Sequence, residues 1–267
     1  MAQHRRVRVP SLLALSIGAG LVLSGCGDDD SPSDQASAGH GGKPVVVATT
    51  VWEGAFAKAA GIDDVKVIVP QSVHHAPDYD PKPSDLAAVG RADFVLYAPF
   101  EPYAAKIKEA AGSKAKLVEV GLDNDADKAG AEVARLGKLF GTEAAATRWK
   151  ASFDTEYGRL RADVKSAWPG GRPPVVVAQV FSTWSAKLAG AEVVGTYGPE
   201  AVTAQQLAAL SKKKPALVLD NAHMSTGKVL PDSGAKQIEI VNYPDKDLDL
   251  LAVYRKAAAD VKQAMKG

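Results

Sequence analysis

The candidate metal ligands of this sequence are five side chains in three separate segments: His74 and His75, then Glu101, then Asp220 and His223. Imidazole with carboxylate at tetrahedral geometry suits Zn(II), with Zn–N distances of about 2.0–2.1 Å, whereas an oxygen-richer set of Glu101, Asp125 and Asp220 leans towards manganese. Adjacent side chains of an extended segment point to opposite sides, so His74 and His75 offer one ligand between them, and which of the two faces the site stays open. Each residue also has a plainer role. The two histidines fit a surface loop, His223 fits a strand-to-helix turn that Ser225 caps, Asp220 could cap the same helix, and Glu101 fits a first-turn acid favoured by the helix dipole. His40, set among Gly39, Gly41 and Gly42, is a solvated residue outside the site. A hydrolase built on Ser182, Thr183 or Ser225 would need a neighbouring base and an orienting acid. Gly-x-Ser-x-Gly, a Gly-rich phosphate loop and His-Glu-x-x-His are all absent, so neither an enzyme nor a catalytic cofactor is expected.

The elements that must position these residues alternate short β-branched runs with alanine-rich amphipathic stretches, the pattern of strands buried on both faces by crossover helices. Strands are predicted at Val45 to Thr49, Val65 to Val69, Phe94 to Tyr97 and Lys116 to Val120, with helices near Trp52 to Ala60, Ser84 to Gly90 and Pro102 to Ala111. The rhythm returns at Pro174 to Gln179, Glu192 to Val194, Ala216 to Asp220 and Gln237 to Val241, with helices near Ala201 to Leu210 and Leu248 to Met265. Between the two sets, Glu143 to Trp168 places Ala146, Trp149, Phe153, Tyr157, Leu160 and Val164 at helical spacing, and Pro169-Gly170-Gly171 stops it. The predicted fold is therefore α/β: two lobes, each a mostly parallel sheet flanked by helices, joined by one long backbone helix. The domains divide as 44–140, a linking helix at 141–170, and 171–267. A ligand site is expected where the carboxyl ends of both sets of strands meet.

Ahead of the folded body, Arg5, Arg6 and Arg8 precede an apolar stretch from Leu12 to Leu23, too short for a membrane span and suited to a secretory signal over residues 1–25. Its end, Leu23-Ser24-Gly25-Cys26, resembles a bacterial lipoprotein signal, in which the cysteine becomes the lipidated first residue of the mature chain. Cys26 is then an anchor, and residues 26–43, rich in Gly, Asp, Ser, Pro and Ala, a flexible tether. Cys26 is the sole cysteine, so the exported part has neither a disulfide framework nor a thiolate metal site. Losing the three leader arginines and no acid takes the formal charge from +1 to −2, which argues against nucleic acid as a partner.

A wider resemblance rests on Val69-Pro70, on Tyr79-Asp80-Pro81-Lys82-Pro83-Ser84-Asp85-Leu86, on Ala92-Asp93-Phe94-Val95-Leu96-Tyr97 with Glu101, and on Thr196-Tyr197-Gly198-Pro199-Glu200. In this order, over residues 44 to 267, the chain is similar to the solute-binding proteins of zinc and manganese ABC importers. The resemblance implies a monomeric receptor, tethered by its lipid to the outer face of the cell membrane, that delivers zinc or manganese to an ABC permease and its ATPase. It also implies where metal ligands belong, and here those positions carry Pro77, a residue at or near Asp125, Gln179 and a residue near Asn242, with Asp245 close by. A metal site in this chain must then have shifted onto His74 or His75 with Glu101, His223 or Asp220. The alternative is the same scaffold holding a metal chelate or small organic solute against cleft aromatics such as Trp52, Tyr79, Tyr103, Phe181 and Trp184. An adhesin would also suit the anchor, but no repeat or adhesive segment argues for one.

Overall fold

The computed structural model describes residues 44–73, 76–225 and 227–266. The leader, Cys26, the tether, His74 and His75 lie outside the described residues.

The β-branched runs form two four-stranded sheets, and every pairing in both is parallel. The first holds β1 (Val46–Ala48), β2 (Val65–Val67), β3 (Phe94–Tyr97) and β4 (Lys116–Glu119) in the order β2-β1-β3-β4. The second holds β5 (Val175–Gln179), β6 (Glu192–Tyr197), β7 (Leu217–Asn221) and β8 (Lys236–Ile240) in the equivalent order β6-β5-β7-β8. Parallel strands need crossovers, and the alanine-rich segments supply them: α1 (Val51–Ala59), α2 (Pro83–Val89) and α3 (Ala104–Ala111) in the first lobe, α6 (Thr183–Ala189) and α7 (Ala204–Ser211) in the second. In each sheet the strand order reverses beside the first strand, and crevices for ligands open outside the carboxyl ends at such a switch.

Between the lobes stand α4 (Ala126–Phe140) and α5 (Glu143–Lys165), and the chain closes with α8 (Leu250–Lys266). α5 is the predicted linking helix. α4 and α6 were not anticipated from the sequence, although Asp125 caps α4 by accepting the Asp127 and Lys128 amides. Gly141, at φ 70°, ends α4 in the left-handed conformation and folds it back along α5. The two helices approach so closely that a Cβ on Gly137 would lie 2.5 Å from the Cβ of Ala146.

A single hydrophobic cluster runs through the middle of the molecule, from Val46 and Leu96 of the first sheet to Val176 and Leu219 of the second, by way of Val133, Phe153 and Tyr254 on α4, α5 and α8. Phe153 stacks with Trp149 at 4.9 Å and meets the edge of Tyr254 at 5.0 Å, and Trp184 meets Tyr254 at 5.2 Å. The outer face of each sheet has its own smaller cluster, Val47 with Val95 and Ile107 in the first lobe, Val177 with Val218 and Leu230 in the second. The lobes are thus two sheets sharing one interior, and the loops at their carboxyl ends are held in fixed relation.

Candidate functional site

The loops that follow β1, β2, β3 and β4, together with those that follow β7 and β8, line one cavity of about 530 Å³. The first lobe contributes Thr50 and Val51, the wall from Val69 to Val73 with Ala76 and Pro77, then Phe100, Glu101 and Leu122; the second contributes His223, Val241 and Tyr243 to Asp245. Gln71 reaches across to donate to the Asp245 carboxylate at 2.8 Å, and Asn124 donates to the backbone carbonyl of Asn242 at 2.9 Å, so polar contacts join the lobes beside the cavity.

Of the predicted ligands, the structure brings Glu101 and His223 to this cavity. Glu101 is 5% exposed and its oxygens are occupied: Oε1 accepts from the Thr49 hydroxyl and the Tyr103 hydroxyl, each at 3.1 Å, and Oε2 accepts from the Ala98 amide at 3.2 Å. Burial, and after it the charge of Glu53, pushes the Glu101 carboxyl up to about 8. Glu53 is fully buried; its Oε2 accepts from the Thr50 amide and hydroxyl, while Oε1 has no partner. Burial raises Glu53 against the pull of those hydrogen bonds. Two carboxyl groups in one dry region cannot both ionise cheaply, so the pair holds on to a proton near neutrality.

His223 follows β7, its amide donating to the Asn221 side chain at 2.9 Å. Its ring lies 4.1 Å from that of Tyr243, and Tyr243 meets the edge of Trp52 at 4.9 Å, so three rings run from the second lobe to the first. Burial takes His223 down to about 4, which makes the imidazole neutral at physiological pH, and its Nε2 is buried without a hydrogen-bond partner. A neutral imidazole is the form that can give a ring nitrogen to a metal ion.

Asp220 departs from the expected set. Side chains alternate along a strand, and Asp220 follows Val218 onto the outer face of the second sheet. There it is 2% exposed, accepting from the Tyr197 hydroxyl at 2.6 Å and from Gln237 at 3.1 Å, and it does not line the cavity. His74 and His75 lie outside the described residues, although Val73 and Ala76 on either side line the cavity.

The positions where the resemblance places ligands divide likewise. Pro77 and Asp245 line the cavity. Asp125 caps α4 and forms an ion pair with Lys187 on α6 at 2.8 Å; burial works to raise its carboxyl, but Lys187 together with the Lys128 and Asp127 amides holds it below the ordinary value. Gln179 accepts from the Phe181 amide at 2.6 Å. Asn242 accepts from the Trp184 indole at 2.8 Å and donates to the Phe181 carbonyl at 3.2 Å. The aromatic wall also differs from expectation. Tyr79 donates to Asp85, Tyr103 to Glu101, Trp184 lies in the central core and Phe181 is exposed, while the rings lining the cavity are Phe100 and Tyr243. Glu53, Thr49 and Tyr243 were not among the predicted site residues. Glu53 completes the capping box of α1 with Thr50, and that local pattern concealed its part in the buried pair. Among the described residues no three His, Cys, Asp or Glu side chains gather to hold an ion. Among the described residues, what lines the cavity is apolar wall, the His223 ring, and carboxyl groups already engaged.

No family model matches the chain, and no curated protein matches it. Solved structures do. The laminin-binding protein Lmb of Streptococcus agalactiae, described as bifunctional with adhesin and metal transporting activity, superposes with a TM-score of 0.62 at 19% identity, covering 84% of this chain and 100% of that one. The SBP FpvC of Pseudomonas aeruginosa, in complex with Mn2+, gives 0.61 at 17% identity over 84% and 99%. The Zn(II)-bound ZnuA-like domain of Streptococcus pneumoniae AdcA gives 0.55 at 16% over 85% and 100%. The two-lobed α/β architecture is therefore one that recurs, over nearly the whole length of those proteins.

Proposed function

We propose that this chain is the receptor of an ABC importer for a transition-metal cargo of the zinc or manganese type, exported and held at the outer face of the cell membrane by a lipid on Cys26. The observation that carries the reading is the convergence of both sheets on one cavity, within a fold shared over 84% of the chain with structures of metal-transporting and metal-bound proteins. The Leu-Ser-Gly-Cys leader supports the same placement independently, since a receptor must stay near its permease. Of the predicted ligands, Glu101 and His223 line the cavity, and they would hold a bare ion with His74 or His75 from the segment between Val73 and Ala76. Asp220 is left to the outer core of the second lobe. The importing partners are a membrane permease and its cytoplasmic ATPase, engaged by a monomer.

Thermal unfolding of the metal-stripped protein tests the reading. A cargo present at a hundred times its dissociation constant stabilises the folded state by about 2.7 kcal/mol, a clear shift in midpoint. A midpoint that rises with Zn(II), Mn(II) or a complex of such an ion supports the receptor; a midpoint indifferent to every metal form removes it.

A further inference from the structure

Resting on the receptor reading, we propose that the cargo is not a bare ion but a neutral or cationic complex of a metal with a small organic chelator, docked on the apolar wall at Val69, Pro70 and Phe100, with His223 Nε2 filling one open coordination position.

Size is the first argument. At about 530 Å³ the cavity lies in the range of roughly 300–1,000 Å³ that receives drug-sized ligands, whereas an ion with donors about 2.0–2.2 Å away fills a small part of it. Donor supply is the second. Both oxygens of Glu101 already accept hydrogen bonds from within the protein, and Asp245 accepts from Gln71. Drawing Glu101 onto a bare ion means giving up buried hydrogen bonds, and groups left unpaired in a dry site each cost about 1–3 kcal/mol, whereas the Asp245 contact is exposed and gives way more easily. A chelated ion brings most of its own donors and leaves those contacts intact. The third argument is His223, which lines the cavity with its ring against that of Tyr243 and whose buried Nε2 has no hydrogen-bond partner. One well-placed imidazole on an open position adds orientation and affinity where the other donors belong to the chelator. Charge sets the class. Among the described residues that line the cavity there is no Lys or Arg, while Glu101 and Asp245 are there, so an anionic complex finds no compensating cation among them.

The discriminating experiment is calorimetric titration of the metal-stripped full chain with NiCl2 and ZnCl2, with the neutral one-to-one complexes of Ni(II) and Zn(II) with iminodiacetate, with the anionic and coordinatively filled Ni(II)–EDTA complex, and with iminodiacetate alone. The open neutral complexes are expected to bind at least tenfold more tightly than the chlorides, and Ni(II)–EDTA and iminodiacetate alone are expected not to bind. His223→Ala is expected to cost the open complexes tenfold or more. Phe100→Ala, a change at a side chain 68% exposed and therefore harmless to folding, is expected to weaken the same complexes several-fold and keeps the test decisive if the histidine variant is unstable. Chlorides binding as tightly as their complexes would overturn the chelate proposal and leave the receptor reading standing. So would a complex that binds the His223→Ala protein unchanged, or iminodiacetate binding without metal. No binding of any metal form would overturn both.

Discussion

At the scale of single residues, the Glu53–Glu101 pair and His223 make stability depend on pH in opposite senses. Glu101 is raised to about 8, so over the range from the ordinary carboxylate value to about 8 the folded state binds more protons than the unfolded one, and stability falls as pH rises. His223 is lowered to about 4, so between that value and about 6.5 the unfolded state binds the extra proton and stability rises with pH. The two slopes oppose each other below pH 6.5, and only the carboxyl slope survives above it. The metal-free protein is therefore expected to lose stability between pH 6.5 and 8 at about 1.4 kcal/mol per unit for each retained proton, and Glu101→Gln to flatten that loss in chemical denaturation. A wild-type curve already flat over this range would mean that the pair ionises freely. Asp220 gives a second residue-scale prediction. Asp220→Ala strands the Tyr197 hydroxyl in the outer core and takes one of its partners from Gln237, and should cost about 1–3 kcal/mol of stability without changing ligand affinity; an affinity loss in a variant that stays folded would put the carboxylate back among the ligands.

At the scale of elements, the strands were legible because both sheets are parallel and their central strands β1, β3, β5 and β7 are buried, which concentrates Val, Ile and Leu into short runs bounded by turns. The same burial hid which way Asp220 points. All five residues of β7 are buried, so no alternation of polar with apolar residues marks its faces, and only the packed neighbours of Val218 and Leu219 assign them. α4 escaped notice for a different reason. Its Asp125 cap and its Ala129, Val133, Leu136 and Phe140 stripe stand in the sequence, but Gly130 and Gly137 interrupt the helical pattern because the helix lies close against α5. Gly137 and Gly158 therefore make a matched pair. Gly137→Ala forces a Cβ to within 2.5 Å of Ala146 and should cost about 1–3 kcal/mol despite the better helix former. Gly158→Ala on α5 meets nothing within 4 Å and should gain about 0.5–1 kcal/mol. Equal effects in urea unfolding would mean that α4 and α5 do not approach as closely as described. The site was half legible by the same logic: loops after strands announced Glu101 and His223, whereas the pairing of Glu101 with Glu53, and of His223 with Tyr243, exists only once α1 and the segment after β8 have packed.

At the scale of the whole molecule, the shared interior decides both how the protein unfolds and how far it can move. Val46 and Leu96 of one sheet and Val176 and Leu219 of the other belong to a single cluster whose centre is Phe153, fully buried on α5 between Trp149 and Tyr254. Hinging the lobes apart would open that cluster, and exposing apolar surface costs about 25 cal/mol per Å², so ligand entry and exit belong to the loops rather than to the lobes. Contacts such as the Gln71–Asp245 hydrogen bond and the Asp125–Lys187 ion pair span the lobes at the surface and are cheap to break by comparison, each contributing about 0–1 kcal/mol where solvent reaches it. X-ray scattering of the free and ligand-bound protein is accordingly expected to superimpose, with hydrogen exchange slowing at Val69 to Val73 and at Tyr243 to Asp245. Phe153→Ala tests the premise beneath that expectation. The truncation removes the ring on which both lobes lean and should cost about 3–5 kcal/mol. If the interior is one cooperative unit, the loss appears equally in the exchange-protected amides of β1 and of β5 and unfolding stays a single transition. Protection lost in one sheet alone would show instead that the lobes are separately stable bodies, free to move against each other when cargo binds.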